Sequence, residues 1–171
     1  PFTYAAGPSG REHGLGRLEN RIALVAGATR GAGRGIAIAL GEQGATVYCT
    51  GRSIRGQLAS GADRPETIDE TAELVTSAGG QGLPVRCDHT AEEDVRALVD
   101  RVRRDHGRLD VLVNDVWGGD VLTEFGKTFW QVDLAKGRRM IDQAIWSHIL
   151  TSHHAVPLMF ERGDRGTGLV V

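Results

Sequence analysis

Short apolar runs alternate along this chain with segments of helical periodicity. Five runs have the length and composition of strands, at 22–26, 46–49, 83–87, 109–113 and 168–171. Continuous apolar runs are typical of strands that are buried on both faces, as in a parallel sheet. Helical crossovers between such strands are right-handed and cover both faces of the sheet. The alternation therefore predicts an α/β fold, a doubly wound parallel sheet.

Several residues predict where the intervening helices begin and end. Gly44 and Gly107 stand where a left-handed residue closes a helix, and 79–80 is a glycine pair that ends another. Pro65 suits a first helical turn, and the residues 90–93 have the sequence of a capping box. Apolar residues spaced along 140–149 predict one further long helix, after an irregular segment at 114–135.

Composition limits the class of protein. The 171 residues are 40% hydrophobic and 25% charged, which favours one soluble globular domain. A net charge of −2 gives no bulk attraction to nucleic acid or anionic membranes, and no apolar run approaches the ~18 residues of a membrane span. Two cysteines do not make a disulfide framework, so we expect a cytoplasmic protein.

The first twenty residues differ from the rest. They are rich in glycine and lack an apolar period, which predicts a flexible N-terminal arm at 1–20 and a folded domain at 21–171. The chain also stops inside its last apolar run, which would leave a hydrophobic sheet edge bare. We therefore expect the sequence to be an incomplete copy of a longer protein.

A glycine cluster lies between the first predicted strand and the first helix. Glycines at such a turn let the backbone approach a pyrophosphate, which rests on the amides at the helix N-terminus. No Gly-Lys-Ser/Thr follows, so a Walker-type phosphate loop is excluded. A merely structural turn is the alternative. The candidate dinucleotide-binding residues here are Gly27, Thr29, Arg30, Gly31, Ala32 and Gly33.

The spacing of this loop is G-x-x-x-G-x-G. Asp88 follows the third strand, and Asn114 ends the fourth. With these landmarks in order, 21–171 resembles the short-chain dehydrogenase/reductase family of NAD(P)-binding, Rossmann-type proteins. Two departures are visible: Ala26 replaces the usual threonine, and the N-N-A-G motif reads N-D-V-W-G at 114–118. The resemblance implies that the five strands belong to a larger sheet.

The resemblance also implies where a dinucleotide would lie. The glycine loop would cradle the pyrophosphate, Asp88 and His89 would flank the adenine, and Asn114 and Val116 would lie along the nicotinamide ribose.

Charge after the second strand suggests which dinucleotide binds. An NAD site normally has an acidic residue there, on the ribose 2′-hydroxyl. This chain has Arg52 and Ser53 instead, with Arg30 predicted on the same side. Guanidinium groups suit a 2′-phosphate, so NADP(H) is predicted over NAD. Alternatively, Arg30 and Arg52 are solvated surface charges.

The family's catalytic residues are not found in this sequence. The family uses a serine at the end of the fifth strand and a Tyr-x-x-x-Lys pair, but neither Tyr4 nor Tyr48 is followed by lysine four residues on. No catalytic residue is therefore predicted. The family's asparagine on the fourth helix is also missing. His148 is either a stand-in for it or a partly buried structural histidine.

Other tempting residue groups have simpler interpretations. The spacing of three histidines at 148, 153 and 154 does not favour a metal site, and none is predicted. Cys49 and Cys87 are interpreted as small core residues, and the arginines at 101–104 as a solvated helix face. Four aromatic residues could wall a substrate pocket or pin their loop to the domain: Trp117, Phe125, Phe129 and Trp130.

Together these features predict an NADP(H)-dependent oxidoreductase that transfers hydride between nicotinamide and a small carbonyl or alcohol substrate. The alternative is a dinucleotide-binding protein without catalysis, such as a redox sensor or a degenerate paralogue. Family resemblance implies a homodimer or homotetramer.

Overall fold

A computed structural model describes residues 16–59, 64–161 and 168–171. The strands are β1 Ile22–Ala26, β2 Thr46–Gly51, β3 Gln81–Arg86, β4 Val111–Asn114 and β5 Leu169–Val170. The helices are α1 Gly31–Glu42, α2 Ile68–Ser77, α3 Glu92–His106, α4 Leu134–Ile141 and α5 Ser147–Phe160. A π-helical turn at Asp142–Trp146 joins α4 to α5, and single 3₁₀ turns lie at Asp120–Leu122 and Phe129–Gln131.

The strands form one parallel sheet in the order β3-β2-β1-β4-β5. This confirms the predicted doubly wound α/β fold. β1 lies at the centre, with every residue buried. Ala26 at its end is level with Thr50 of β2 and Asn114 of β4, so the segments that follow these strands meet at one edge. The chain reverses direction across the sheet between β1 and β4, the position at which such sheets bind ligands.

Alternate side chains of the sheet supply two hydrophobic cores. Leu24 faces the core beneath α3 and α5, while Val25 faces the core beneath α1 and α2. Cys49 and Cys87 are buried in opposite cores, as predicted for small core residues. Burial raises the pKa of each thiol to about 12.

Two of the predicted helix ends are confirmed and two helix starts are wrong. Gly44 and Gly107 have φ values of 86° and 63°. The capping box at 90–93 is absent, because the Thr90 hydroxyl donates to Asp88 Oδ1 at 2.7 Å and the helix begins at Glu92. Pro65 lies before α2 rather than inside it; the Thr67 side chain accepts from the backbone N–H of Glu70 and caps the helix instead.

The predicted long helix after the irregular segment is also divided. Its two parts, α4 and α5, are separated by the π-helical turn. Pro157 is accommodated inside α5. Among the described helices, none combines the length and the apolar character needed to cross a membrane.

The start of the described chain packs on the domain. The backbone N–H of Leu18 donates to the Gln43 carbonyl at 2.9 Å, and the Leu18 side chain packs against the core beneath α1. Residues 1–15 of the predicted arm lie outside the described residues. The arm and its boundary therefore stay a prediction.

Candidate cofactor site

A cavity of about 390 Å³ opens at the carboxyl edge of the sheet. Its walls are the segments that follow β1, β2, β3 and β4, as expected for a switch-point site. The structure brings most of the predicted site residues together there: Gly27, Thr29, Arg30, Gly31, Ala32, Arg52, Ser53, Asp88, His89 and Val116. Gly33 and Asn114 do not line the cavity, and each lies next in sequence to a residue that does.

The turn after β1 requires glycine at two positions. Gly27 has a φ of 92°, and a Cβ there would come within 2.2 Å of the Asp115 carbonyl oxygen. A Cβ on Gly33 would stand 2.3 Å from the Gly27 carbonyl oxygen. The two glycines therefore let the turn pack against the segment after β4 while the first turn of α1 faces the cavity.

Asp115 fixes this turn from the neighbouring strand. Its Oδ2 accepts a hydrogen bond of 2.5 Å from the backbone N–H of Gly33, in the first turn of α1. A carboxylate is favourable there because the helix N-terminus carries partial positive charge. Asp115 was not among the predicted site residues, because in the sequence it stands out only as a departure from N-N-A-G. Its place directly after the strand was the available signal.

Among the described residues, three arginines line the cavity: Arg30, Arg52 and Arg64. The Nε of Arg30 is buried and has no hydrogen-bond partner among the described residues. Burial opposes ionisation of the Asp88 carboxyl, but hydrogen bonds from Thr90 and the charge of Arg52 outweigh it and lower the pKa of Asp88. The cavity therefore has cationic groups beside its glycine turn and beside the end of β2. Arg64 was not among the predicted site residues.

Ser53 is more constrained than its predicted role suggested. The residue is buried, and its Oγ accepts a hydrogen bond of 3.1 Å from the backbone N–H of Ala59. Its carbonyl oxygen accepts another from the backbone N–H of Ile68. The side chain thus shapes the segment after β2. Its hydroxyl hydrogen is not used by the bond to Ala59.

His89 is buried beside the cavity with both ring nitrogens bonded. The Thr50 hydroxyl donates to the Val25 carbonyl at 2.9 Å, so its oxygen accepts from Nε2–H of His89 at 2.8 Å. Nδ1 then accepts from the Thr151 hydroxyl at 2.8 Å. Burial lowers the pKa of His89 to about 4. This neutral imidazole joins β2 to α5.

Asn114 and His148 hold the segment after β4. Asn114 Nδ2 donates to Ser152 Oγ at 3.1 Å, while its Oδ1 is buried without a partner among the described residues. His148 Nε2 lies 3.1 Å from both the backbone nitrogen and the carbonyl oxygen of Val116. This contact is the one expected of the structural alternative for His148.

The four aromatic residues after β4 are in two different environments. Trp117 lines the cavity, and its indole N–H donates to Asp120 Oδ1 at 2.8 Å. Phe125, Phe129 and Trp130 are each more than 80% exposed. Neither expected role, walling a pocket or pinning the loop, fits these three side chains in the described structure.

The remaining candidate groups contact acidic side chains near the surface. Within the described ranges, no cluster of three His, Cys, Asp or Glu side chains is placed to hold a metal ion. His154 Nε2 lies 3.1 Å from a carboxylate oxygen of Glu92. On α3, Arg101 pairs with Asp105, and Arg103 pairs with Asp100, which agrees with a solvated helix face.

Comparison with known proteins assigns the family. The family model described as short chain dehydrogenase matches residues 21–171. The chain belongs to the short-chain dehydrogenase family. This confirms the resemblance drawn from the glycine turn and from Asp88 and Asn114.

Similar relatives and solved structures agree with this assignment. The chain is 36% identical over 157 residues to mouse "Dehydrogenase/reductase SDR family member 1". This match covers 90% of this chain and 46% of that protein. It is 31% identical over 147 residues to the 7alpha-hydroxysteroid dehydrogenase of Escherichia coli K12. This match covers 86% of this chain and 51% of that protein. The crystal structure of a hydroxysteroid dehydrogenase from Escherichia coli superposes with a TM-score of 0.70 at 28% identity. The superposition covers 90% of this chain and 57% of that chain.

A further similar structure is a 7 alpha-hydroxysteroid dehydrogenase complexed with NADH and 7-oxo glycochenodeoxycholic acid. Its TM-score is 0.70 at 27% identity, with 90% of this chain and 52% of that chain covered. The chain therefore spans about half the length of the relatives that it matches.

The described tyrosine is not placed for proton transfer in the cavity. Tyr48 is fully buried, and its hydroxyl donates to Asp105 Oδ2 at 2.9 Å. Burial, followed by this hydrogen bond, raises the pKa of Tyr48 above its usual range. The structure thus gives Tyr48 a role in the core. Tyr4 lies outside the described residues.

Proposed function

We propose that this protein is an NADP(H)-dependent oxidoreductase acting on a carbonyl or alcohol. The observation that carries the proposal is the cavity at the switch point, whose glycine turn and arginines suit a phosphorylated dinucleotide. The relatives bearing the names of dehydrogenases support the reaction class. When bound, the cofactor would accept hydride from an alcohol or supply it to a carbonyl.

The unpartnered polar atoms fit such a ligand. The pyrophosphate would rest on the turn between Gly27 and Gly33, where Arg30 Nε supplies a buried donor that has no partner among the described residues. Asn114 Oδ1, a buried acceptor, would take a hydrogen bond from a hydroxyl of the nicotinamide ribose. Asp88 and His89 would lie beside the adenine, His89 contributing mainly by holding β2 against α5.

The preference for a 2′-phosphate rests on Arg52 and Ser53. The segment directly after β2 carries no carboxylate, and the guanidinium of Arg52 faces the cavity. The hydroxyl hydrogen of Ser53, which the bond to Ala59 does not use, would complement a phosphate oxygen. NAD is the competing cofactor, because one similar structure is a complex with NADH.

Arg52→Asp tests the cofactor preference. It replaces a fork of donors with the charge that repels a 2′-phosphate, so the ratio of NADPH to NADH affinity is expected to fall at least about tenfold. Fluorescence titration with the two reduced cofactors measures this ratio. An unchanged ratio would show that Arg52 does not bind the 2′-phosphate.

A dinucleotide-binding protein without catalysis is the second candidate. The observation that favours it is the placement of Tyr48 in the core, bonded to Asp105. Turnover of ketones and secondary alcohols, followed at the nicotinamide absorbance, separates the two functions. A protein that binds NADPH tightly and turns over none of a broad panel would be a binding protein.

The proposed assembly is a homodimer or homotetramer in the cytoplasm. Four exposed apolar side chains line a groove along α4, the π-helical turn and the start of α5: Ile141, Ile145, Trp146 and Ile149. Contiguous exposed apolar surface of this kind often marks an interaction site, and a second copy is the proposed partner. Light scattering behind size-exclusion chromatography gives the mass of the assembly. A monomer across the micromolar range would contradict this part of the proposal.

A further inference from the structure

Gln143 occupies an unusual place in the cavity wall. It stands on the π-helical turn between α4 and α5 and lines the same cavity as the glycine turn that opens α1. Its Oε1 atom is buried and has no hydrogen-bond partner among the described residues. An acceptor that is removed from water without a partner costs folding free energy, and in native proteins a bound molecule often supplies the missing donor.

The surroundings of this oxygen show which end of the cavity it faces. A Cβ built on Gly118 would lie 2.3 Å from Gln143 Oε1 and 3.4 Å from Arg52 Nη2. The amide oxygen and the guanidinium thus flank the same glycine. Asp88 lies at this end as well, because the charge of Arg52 helps to lower the pKa of its carboxyl. Gln143 therefore belongs to the part of the cavity between the ends of β2, β3 and β4.

The backbone holds Gln143 in this place. The buried Ser147 hydroxyl donates to the Gln143 carbonyl, which ties the π-helical turn to the start of α5. A π-helical turn inserts one residue into a helix and redirects the side chains beside it, and such turns are frequent at functional sites. Gly118 opposite leaves room for the amide, where any larger residue would collide with it.

We propose that Gln143 is a ligand-binding residue for the adenosine part of the dinucleotide. Its Oε1 accepts a hydrogen bond from a ribose hydroxyl or from the adenine amino group. Both are donors that a buried amide oxygen complements, and both belong to the end of the cofactor that Arg52 and Asp88 are proposed to bind. This inference rests on the proposed function, because it takes the orientation of the cofactor from that proposal.

Fragments of the cofactor test the inference. Calorimetric titration of the purified protein with 2′,5′-ADP, 5′-AMP and nicotinamide mononucleotide gives a dissociation constant for each fragment. Gln143→Met keeps the length of the side chain and removes the acceptor. We expect binding of both adenosine fragments to weaken about three- to tenfold, the effect of one lost hydrogen bond, with the nicotinamide fragment unchanged. Gln43→Met, at the far end of α1, is the matched control and leaves all three constants unchanged.

If circular dichroism shows that Gln143→Met does not fold, a second variant tests the inference. Gln143→Glu keeps an acceptor oxygen and adds a negative charge beside Arg52, so 5′-AMP affinity is retained while 2′,5′-ADP affinity falls.

The inference is overturned by unchanged adenosine-fragment affinity in Gln143→Met, or by equal weakening of all three fragments. It is also overturned if Gln143→Glu shifts both adenosine fragments alike. The proposed cofactor preference fails separately, when the unmodified protein binds 2′,5′-ADP no more tightly than 5′-AMP. Absence of binding by every fragment overturns both proposals.

Discussion

The two walls of the cavity are built in different ways. The wall formed by the turn after β1 and the end of β2 rests on a sheet whose central residues are fully buried, and its backbone is fixed by close glycine contacts. The opposite wall, 115–149, consists of short 3₁₀ turns, α4, the π-helical turn and the start of α5, and it exposes Phe129, Trp130 and Trp146. The first wall tolerates little change of shape. In the second wall the loop at 115–121 and Gln143 line the cavity, whereas most of the segment between them does not.

The largest expected effect is on the wall beside the glycine turn. In Gly33→Ala the new Cβ would stand 2.3 Å from the Gly27 carbonyl, so the turn and the first turn of α1 must move apart. We expect a fall of about 2 kcal/mol or more in the free energy of unfolding. NADPH binding is expected to weaken by about a hundredfold, because the phosphate cradle is displaced. Urea unfolding and cofactor titration measure the two effects.

A matched glycine in the same helix separates this clash from general effects of alanine. A Cβ on Gly35 meets no atom within 4 Å, and alanine is favoured over glycine inside a helix. Gly35→Ala should therefore leave NADPH affinity unchanged and stabilise the protein by about 0.5 kcal/mol. If both variants behave alike, the close contact at Gly33 does not govern the turn.

The next effect concerns His89, which joins the sheet to α5. Burial lowers its pKa to about 4, whereas in the unfolded chain it titrates near its usual value of ~6.5. Between these values the unfolded state binds the proton and the folded state does not, so stability is lost as the pH falls. We expect His89 to account for a loss of about 2 kcal/mol between pH 7 and pH 5.

Urea unfolding at both pH values tests this expectation against two variants. His89→Gln removes the titrating group and should flatten this part of the pH profile. His153→Gln, on the exposed side of α5, should keep it. A profile that is as steep in His89→Gln as in the unmodified protein would mean that other groups cause the loss.

The contrast between the walls also explains what the sequence could predict. β1, the glycine turn and Gly107 follow from local rules: apolar runs, left-handed positions and close approaches. The prediction of a capping box at 90–93 was wrong because the Thr90 hydroxyl bonds to Asp88 instead. Gln143 could not be found in advance, since the π-helical turn that carries it leaves no mark in the helical periodicity. Its role depends on Gly118, twenty-five residues earlier in the chain and adjacent only in the fold.

The smallest expected effect is on the aromatic side chains of the second wall. Phe129 is 85% exposed and contributes little burial, so Phe129→Ser should change the free energy of unfolding by less than about 0.5 kcal/mol. Leu112→Ala, in the fully buried part of β4, should cost about 2–5 kcal/mol under the same conditions. Urea unfolding of the purified protein compares the two. A loss above about 1.5 kcal/mol for Phe129→Ser would show that another surface covers this side chain, and the second wall would then be as tightly packed as the first.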